Sequence, residues 1–161
     1  MLLDIENKVT PSDTRSHHRY NFKLDRPCAG LWIKFEYAPK NLEDRELATA
    51  LIKRSIERYV EPERQKLALE RAEQYLPLRN LITVSIDDSR GHRGACHRQD
   101  PVQKLYLSAR KSSPGLTTGI IPAGTCTVTL SLHAIVTEHC TYRLKVWAAE
   151  AEEEFDEVDR L

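Results

Sequence analysis

Apolar and polar residues alternate with a two-residue period in much of the chain, as in half-buried strands. Six runs show this alternation or the β-branched composition typical of strands: 20–24, 31–37, 81–86, 102–108, 126–132 and 140–146. Glycine and proline separate several of these runs, and the segment 27–30 predicts a turn between the first two. The pattern predicts a protein built mainly of antiparallel strands.

The segment 41–76 lacks this alternation. It contains no glycine, a single proline and strong helix formers almost throughout, which predicts helix. Asn41 is placed to cap the first turn, and Pro62 to begin a second helix, because proline is tolerated in a first turn. The second helix is expected to direct Leu67, Ala68 and Tyr75 toward a core.

Together these elements predict the fold class. At least six strands and one helical segment favour an antiparallel β-sandwich of jelly-roll type with a helical insertion at 41–76. Residues 1–18 are polar without a sustained period, so we expect a flexible N-terminal arm or a loose edge segment there. The sandwich is expected to span 19–148, and an acidic C-terminal tail to follow at 149–161.

Composition places the chain among globular proteins. With 161 residues, 40% hydrophobic and 30% charged, it can build one core. No window is as apolar as a membrane span requires, and the first ten residues lack the basic and apolar regions of a signal peptide. We therefore expect a cytoplasmic protein without membrane association.

The net charge of zero hides an asymmetry. The last 14 residues hold seven acids against one arginine, so they carry −6 and the remainder of the chain carries +6. A mildly basic body with an acidic tail argues against a nucleic acid partner. The tail is interpreted either as an interdomain linker whose downstream domain has been lost or as an electrostatic mimic that covers a basic surface of the body.

Several motifs are too particular for generic strands and turns. They are the runs 76–88 (LPLRNLITVSIDD), 91–98 (GHRGACHR), 35–39 (FEYAP), 113–115 (SPG) and 121–125 (IPAGT). On these motifs, residues 20–146 resemble the β-sandwich accessory domain found in front of metal-dependent phosphoesterases of the polymerase and histidinol phosphatase (PHP) superfamily. The chain departs from that pattern at His92, where a large apolar residue is expected, and at Cys126, where an aromatic residue is expected.

The catalytic domain of those phosphoesterases begins with a His-x-His metal motif. No such motif occurs in this chain; His17 and His18 are adjacent, and adjacent strand residues point to opposite faces. The resemblance therefore implies the accessory module alone, noncatalytic and without a cofactor. Its implied partner is a separately encoded phosphoesterase or another protein.

The segment 87–98 concentrates charged side chains. The candidate ligand-binding residues are Arg90, His92, Arg93, His97 and Arg98. Guanidinium groups present a planar fork of donors to phosphate or carboxylate, and the glycines let backbone N–H groups approach a ligand. A module that binds an anion or a carbohydrate is thus the alternative function. The competing interpretation is a structural turn, in which Asp88 caps its own backbone, Gly91 and Gly94 take positive φ and Arg93 pairs with an acid.

Metal chemistry has weaker support in the sequence. The four cysteines form no C-x-x-C pair and are expected to be free thiols. A metal-dependent hydrolase would need ligands such as His92, Cys96 and His97 to converge with others from this set: Cys126, His133 and Cys140. The spacing does not require such a site, and we predict none.

The two tryptophans leave two interpretations open. Trp32 and Trp147 lie on the polar faces of their strands. They are either a contact surface for a partner or a sugar, or packing for the opposite sheet or the helices.

Overall fold

The computed structural model describes residues 1–149, within which it has eight strands, two α-helices and two short 3-10 turns. The strands are β1 (Leu3–Val9), β2 (Ser16–Leu24), β3 (Gly30–Ala38), β4 (Leu81–Asp88), β5 (Gly91–Cys96), β6 (Val102–Ser108), β7 (Gly124–Ala134) and β8 (Cys140–Ala149). The helices are α1 (Arg45–Tyr59) and α2 (Pro62–Glu70), and the 3-10 turns are Pro11–Asp13 and Ala72–Tyr75. The acidic tail predicted at 149–161 lies outside the described residues except for Ala149.

Two four-stranded antiparallel sheets pack face to face. Sheet A has the strand order β1-β8-β3-β6 and sheet B the order β2-β7-β4-β5. Since successive side chains point to opposite faces, alternate residues of each strand form one core between the sheets, including Phe35, Ile82, Leu130 and Leu144, all fully buried. This arrangement confirms the predicted mainly β sandwich and all six predicted strands.

The first 18 residues do not form the expected flexible arm. Residues 3–9 form β1, which pairs with β8 along its whole length, and β2 begins at Ser16. The side chains also tie this segment down: the buried Tyr142 hydroxyl lies 2.7 Å from His18 Nδ1 and accepts a 3.2 Å hydrogen bond from Asn7 Nδ2. Only Val9 of β1 is fully buried. A strand that buries so few side chains needs few apolar residues, so its sequence shows no clear alternation of apolar and polar positions.

The helical insertion occupies the predicted segment, with two corrections. Asp44 rather than Asn41 caps α1, because its side chain accepts a 2.9 Å hydrogen bond from Leu47 N. Pro62 does begin α2. Of the residues expected to face a core, Leu67 and Tyr75 are 51% and 60% exposed, and only Ala68 is half-buried. The buried contact is instead made by a different set: Ile52, Ile56 and Ala72.

Within residues 1–149, neither helix combines the length and apolarity needed to cross a membrane.

Candidate functional site

The segment predicted as a ligand-binding loop is largely strand. β4 continues to Asp88, a two-residue turn follows, and β5 pairs back onto β4 as the edge of sheet B. Asp88 Oδ1 accepts a 2.8 Å hydrogen bond from Arg90 N and stabilises the turn. Gly94 has φ +123°, and a Cβ there would overlap the carbonyl oxygen of Gly115, so only glycine fits. Because β5 contains two glycines and few apolar residues, its sequence does not show the two-residue alternation that predicts a strand.

Arg93 is an internal structural residue. Its side chain forms an ion pair with Asp88, whose side chain is 1% exposed. The remaining guanidinium N–H groups donate to the carbonyl oxygens of Thr117, Gly119 and Ile120 at 2.9 to 3.3 Å. All five N–H groups therefore have acceptors inside the protein, and they hold the segment 117–120 against β5. The structural-turn interpretation describes Arg93 and Asp88 well.

The other four candidate residues do not converge. Arg90 and His92 lie at the turn, where His92 Nδ1 is 2.8 Å from Asp87 Oδ1. His97 and Arg98 follow the opposite end of β5. His97 is five positions after His92 along extended chain, so about 16 Å separates them at roughly 3.3 Å per residue. Apart from Arg93, the predicted ligand-binding residues therefore form two separate pairs on the surface, Arg90 with His92 and His97 with Arg98, and not one site.

The cysteines and histidines are also dispersed. Cys96, Cys126 and Cys140 are buried free thiols, whereas His133 is exposed on the outer face of sheet B and lies 2.8 Å from the Thr83 hydroxyl. Burial raises the pKa of Cys126 and of Cys140 to about 11, which keeps both thiols protonated. Among residues 1–149, no three His, Cys, Asp or Glu side chains are arranged to hold a metal ion.

An apolar groove lies where the helical insertion meets the end of the sandwich. Its volume is about 540 Å³. It is lined by Pro11, Leu51, Ile52, Ser55, Ile56, Tyr59, Val60, Ala68, Tyr75, Leu78, Ile135 and Val136. No charged side chain is among them, and Ser55 and the two tyrosines supply the only side-chain hydroxyls. We call this surface the insertion groove. Sequence reasoning missed it because its wall combines α1 and α2 with a loop some 80 residues later.

The two tryptophans form part of a second surface, on the outer face of sheet A. Trp32, at the centre, stacks on Trp147 with ring centroids 6.3 Å apart and is tilted against Tyr106 at 5.6 Å. Lys104 Nζ lies 4.4 Å from the Trp32 ring centroid. Trp32 is only 3% exposed and packs with Tyr106 in a small buried cluster that is separate from the main core and from the helices, whereas Trp147 is half-buried. The other interpretation, a contact surface, stays a prediction.

No protein-family model and no curated protein matches the chain. Among solved structures, the chain is similar to a crystallised protein from Sulfurospirillum deleyianum, at 12% sequence identity. The match covers 92% of this chain and 98% of that one, with a TM-score of 0.34. A similarity of that size supports no statement about fold or function.

Proposed function

We propose that this protein is a noncatalytic interaction module that binds a protein partner through the insertion groove. The groove is the observation that carries the proposal, since an apolar pocket of several hundred Å³ has the size and character of a binding site. The resemblance to the accessory domain of PHP phosphoesterases supports a separately encoded phosphoesterase as the partner. The jelly-roll type, which two four-stranded sheets support, and a cytoplasmic location remain parts of this proposal.

Exposed apolar side chains are frequent on the insertion, and two of them, Tyr59 and Tyr75, line the groove. In residues 1–149, five of the eight exposed large hydrophobic side chains belong to the insertion: Leu47, Tyr59, Leu67, Leu69 and Tyr75. Exposed apolar surface that forms a contiguous patch marks protein interaction sites. The same helix α1 also carries exposed charged residues, such as Lys53 and Arg58. An apolar centre with a polar rim is the usual anatomy of a protein interface.

The lining determines what the occupant must present. A groove without charged residues cannot compensate the desolvation of a buried ion, so the occupant is a partner segment with apolar side chains. Tyr59 and Tyr75 are 65% and 60% exposed at the groove and can pack such side chains while their hydroxyls stay hydrated. Tyrosine is among the residues that carry most of the binding energy in interfaces.

The test compares two double variants that remove the same kind of exposed surface. Tyr59→Ser/Tyr75→Ser alters the groove, whereas Val102→Ser/Ile120→Ser alters side chains that are similarly exposed, at 60% and 63%, but lie outside the insertion and do not line the groove. Each is used for affinity capture from lysate of the source cells, and a captured phosphoesterase is then purified and titrated. We expect the groove variant to raise the Kd at least about tenfold, and the control to leave it unchanged. Equal affinity for wild type and groove variant would refute the proposal.

A further inference from the structure

The outer face of sheet A carries two neighbouring cross-strand rows. In one row Tyr106, Trp32 and Trp147 lie side by side on β6, β3 and β8. In the next row, two residues along each strand, Lys104, Lys34 and Lys145 lie side by side. We call these six residues the lysine–aromatic face. It is on a different part of the molecule from the insertion groove, and the inference drawn from it does not depend on the proposed function.

The lysine row is only partly neutralised by the protein. Like charges directly opposite each other on neighbouring strands are destabilising. Lys34 Nζ lies 3.0 Å from Glu36, and Lys145 Nζ is 3.8 Å from Asp4, a carboxylate that already binds Arg143 at 2.9 Å. Lys104 has no carboxylate within 4 Å in residues 1–149; its contact is with the Trp32 ring. The row therefore favours an anionic ligand.

Within the aromatic row, Trp32 and Tyr106 are 3% and 6% exposed, so Trp147 supplies the accessible apolar surface next to these charges. Trp147 is half-buried and extends the stack of rings toward the edge of sheet A. Aromatic rings favour contact with other aromatic side chains, at ring separations of about 4.5 to 7 Å. The combination fits an acidic peptide that also carries an aromatic residue.

The chain itself supplies such a peptide. Residues 150–161 (EAEEEFDEVDRL) contain seven acids, one arginine and Phe155. They follow directly after Ala149, the last residue of β8, which is buried in the same cluster as Trp32 and Tyr106. Twelve residues can extend about 40 Å, whereas four strands are only about 14 Å wide, so the segment can reach the whole face. We propose that the lysine–aromatic face binds the acidic segment 150–161 of the same chain, which thereby competes with other acidic ligands for this surface.

Tryptophan fluorescence tests this proposal directly, because the chain has two tryptophans and both belong to the face. The variant Glu152→Gln/Glu153→Gln/Glu154→Gln removes three charges from the segment of the full-length protein. Glu57→Gln/Glu61→Gln/Glu63→Gln removes three charges from exposed positions of the insertion and is the matched control. Quenching by acrylamide is measured for each at 0.1 M and 1 M NaCl.

We expect the quenching constant of the segment variant to rise about twofold at 0.1 M NaCl, and that of the control to equal wild type. Raising the salt to 1 M shortens the Debye length from about 10 Å to about 3 Å, so wild type should then approach the segment variant. A synthetic peptide of sequence 150–161 added to the segment variant should restore protection. Equal quenching of wild type and segment variant would overturn the proposal. So would equally tight binding of a 12-nucleotide single-stranded DNA to both proteins, because the face would then be unoccupied in wild type.

Discussion

Replacing Arg93 by alanine tests whether this arginine is part of the framework or part of a ligand site. The change leaves the Asp88 carboxylate, 1% exposed, without its partner. Removing one member of a buried ion pair costs about 3 to 5 kcal/mol, because the remaining charge stays desolvated. The carbonyl groups of Thr117, Gly119 and Ile120 also lose donors, but these residues lie near the surface and water can replace the arginine. We therefore expect a loss of about 3 to 5 kcal/mol in the free energy of unfolding.

Such a loss is a large part of the total stability, which is about 5 to 15 kcal/mol for a typical domain. Urea denaturation followed by circular dichroism measures it, and the melting temperature should fall by about 10 °C or more. Arg90→Ala is the matched control: this arginine is exposed in the same turn, and the change should cost less than about 0.5 kcal/mol.

A double-mutant cycle separates the ion pair from general damage. Asp88→Ala/Arg93→Ala should be more stable than the sum of the single variants predicts, by more than about 1 kcal/mol, since no unpaired charge is left buried. If Arg93→Ala costs less than about 1 kcal/mol, the structural role is refuted, and Arg93 becomes a candidate ligand-binding residue again.

Two further predictions concern buried polar groups. Asn80 is fully buried; its Nδ2 donates to Pro39 O and Thr137 Oγ1, and its Oδ1 accepts from Val136 N. Asn80→Ala should therefore lower the free energy of unfolding by about 2 to 4 kcal/mol, measured by urea denaturation. The control Asn21→Ala, at an exposed position, should lower it by less than about 1 kcal/mol. The prediction is wrong if the two variants unfold alike. The pKa of Cys126 and Cys140 is about 11, raised by burial above the ordinary thiol value, so only the unfolded chain loses these protons between pH 9 and pH 11. The stability that these thiols contribute is therefore complete below pH 9 and is lost as the pH rises toward 11. The free energy of unfolding, measured by urea denaturation at pH 8, 9.5 and 10.5, should decline less steeply in Cys126→Val/Cys140→Val than in wild type. An identical decline in wild type and variant would contradict this.

The local pattern of residues was sufficient for most of the secondary structure. The two-residue period in β2, β3, β7 and β8 marks the face that each strand buries, and it predicts both strand and core. Pro62 marks the start of α2 because its ring is compatible with a first helical turn. β1 and β5 did not show this period because each buries few side chains: Val9 in β1, and Arg93 and Cys96 in β5.

The sequence by itself thus determined the fold class, because the period of burial is a local property of each strand. Only the tertiary structure decided which side chains share a surface. Lys34, Lys104 and Lys145 become neighbours through the register of β6, β3 and β8. The insertion groove exists because the fold places α1 and Ile135 on the wall of the same cavity. Arg93 is internal because the segment 117–120 supplies the carbonyl groups around it. Contacts of this kind join residues that are far apart in the chain. Their energies depend on sheet topology and strand register, and neither can be deduced from the local alternation of apolar and polar residues.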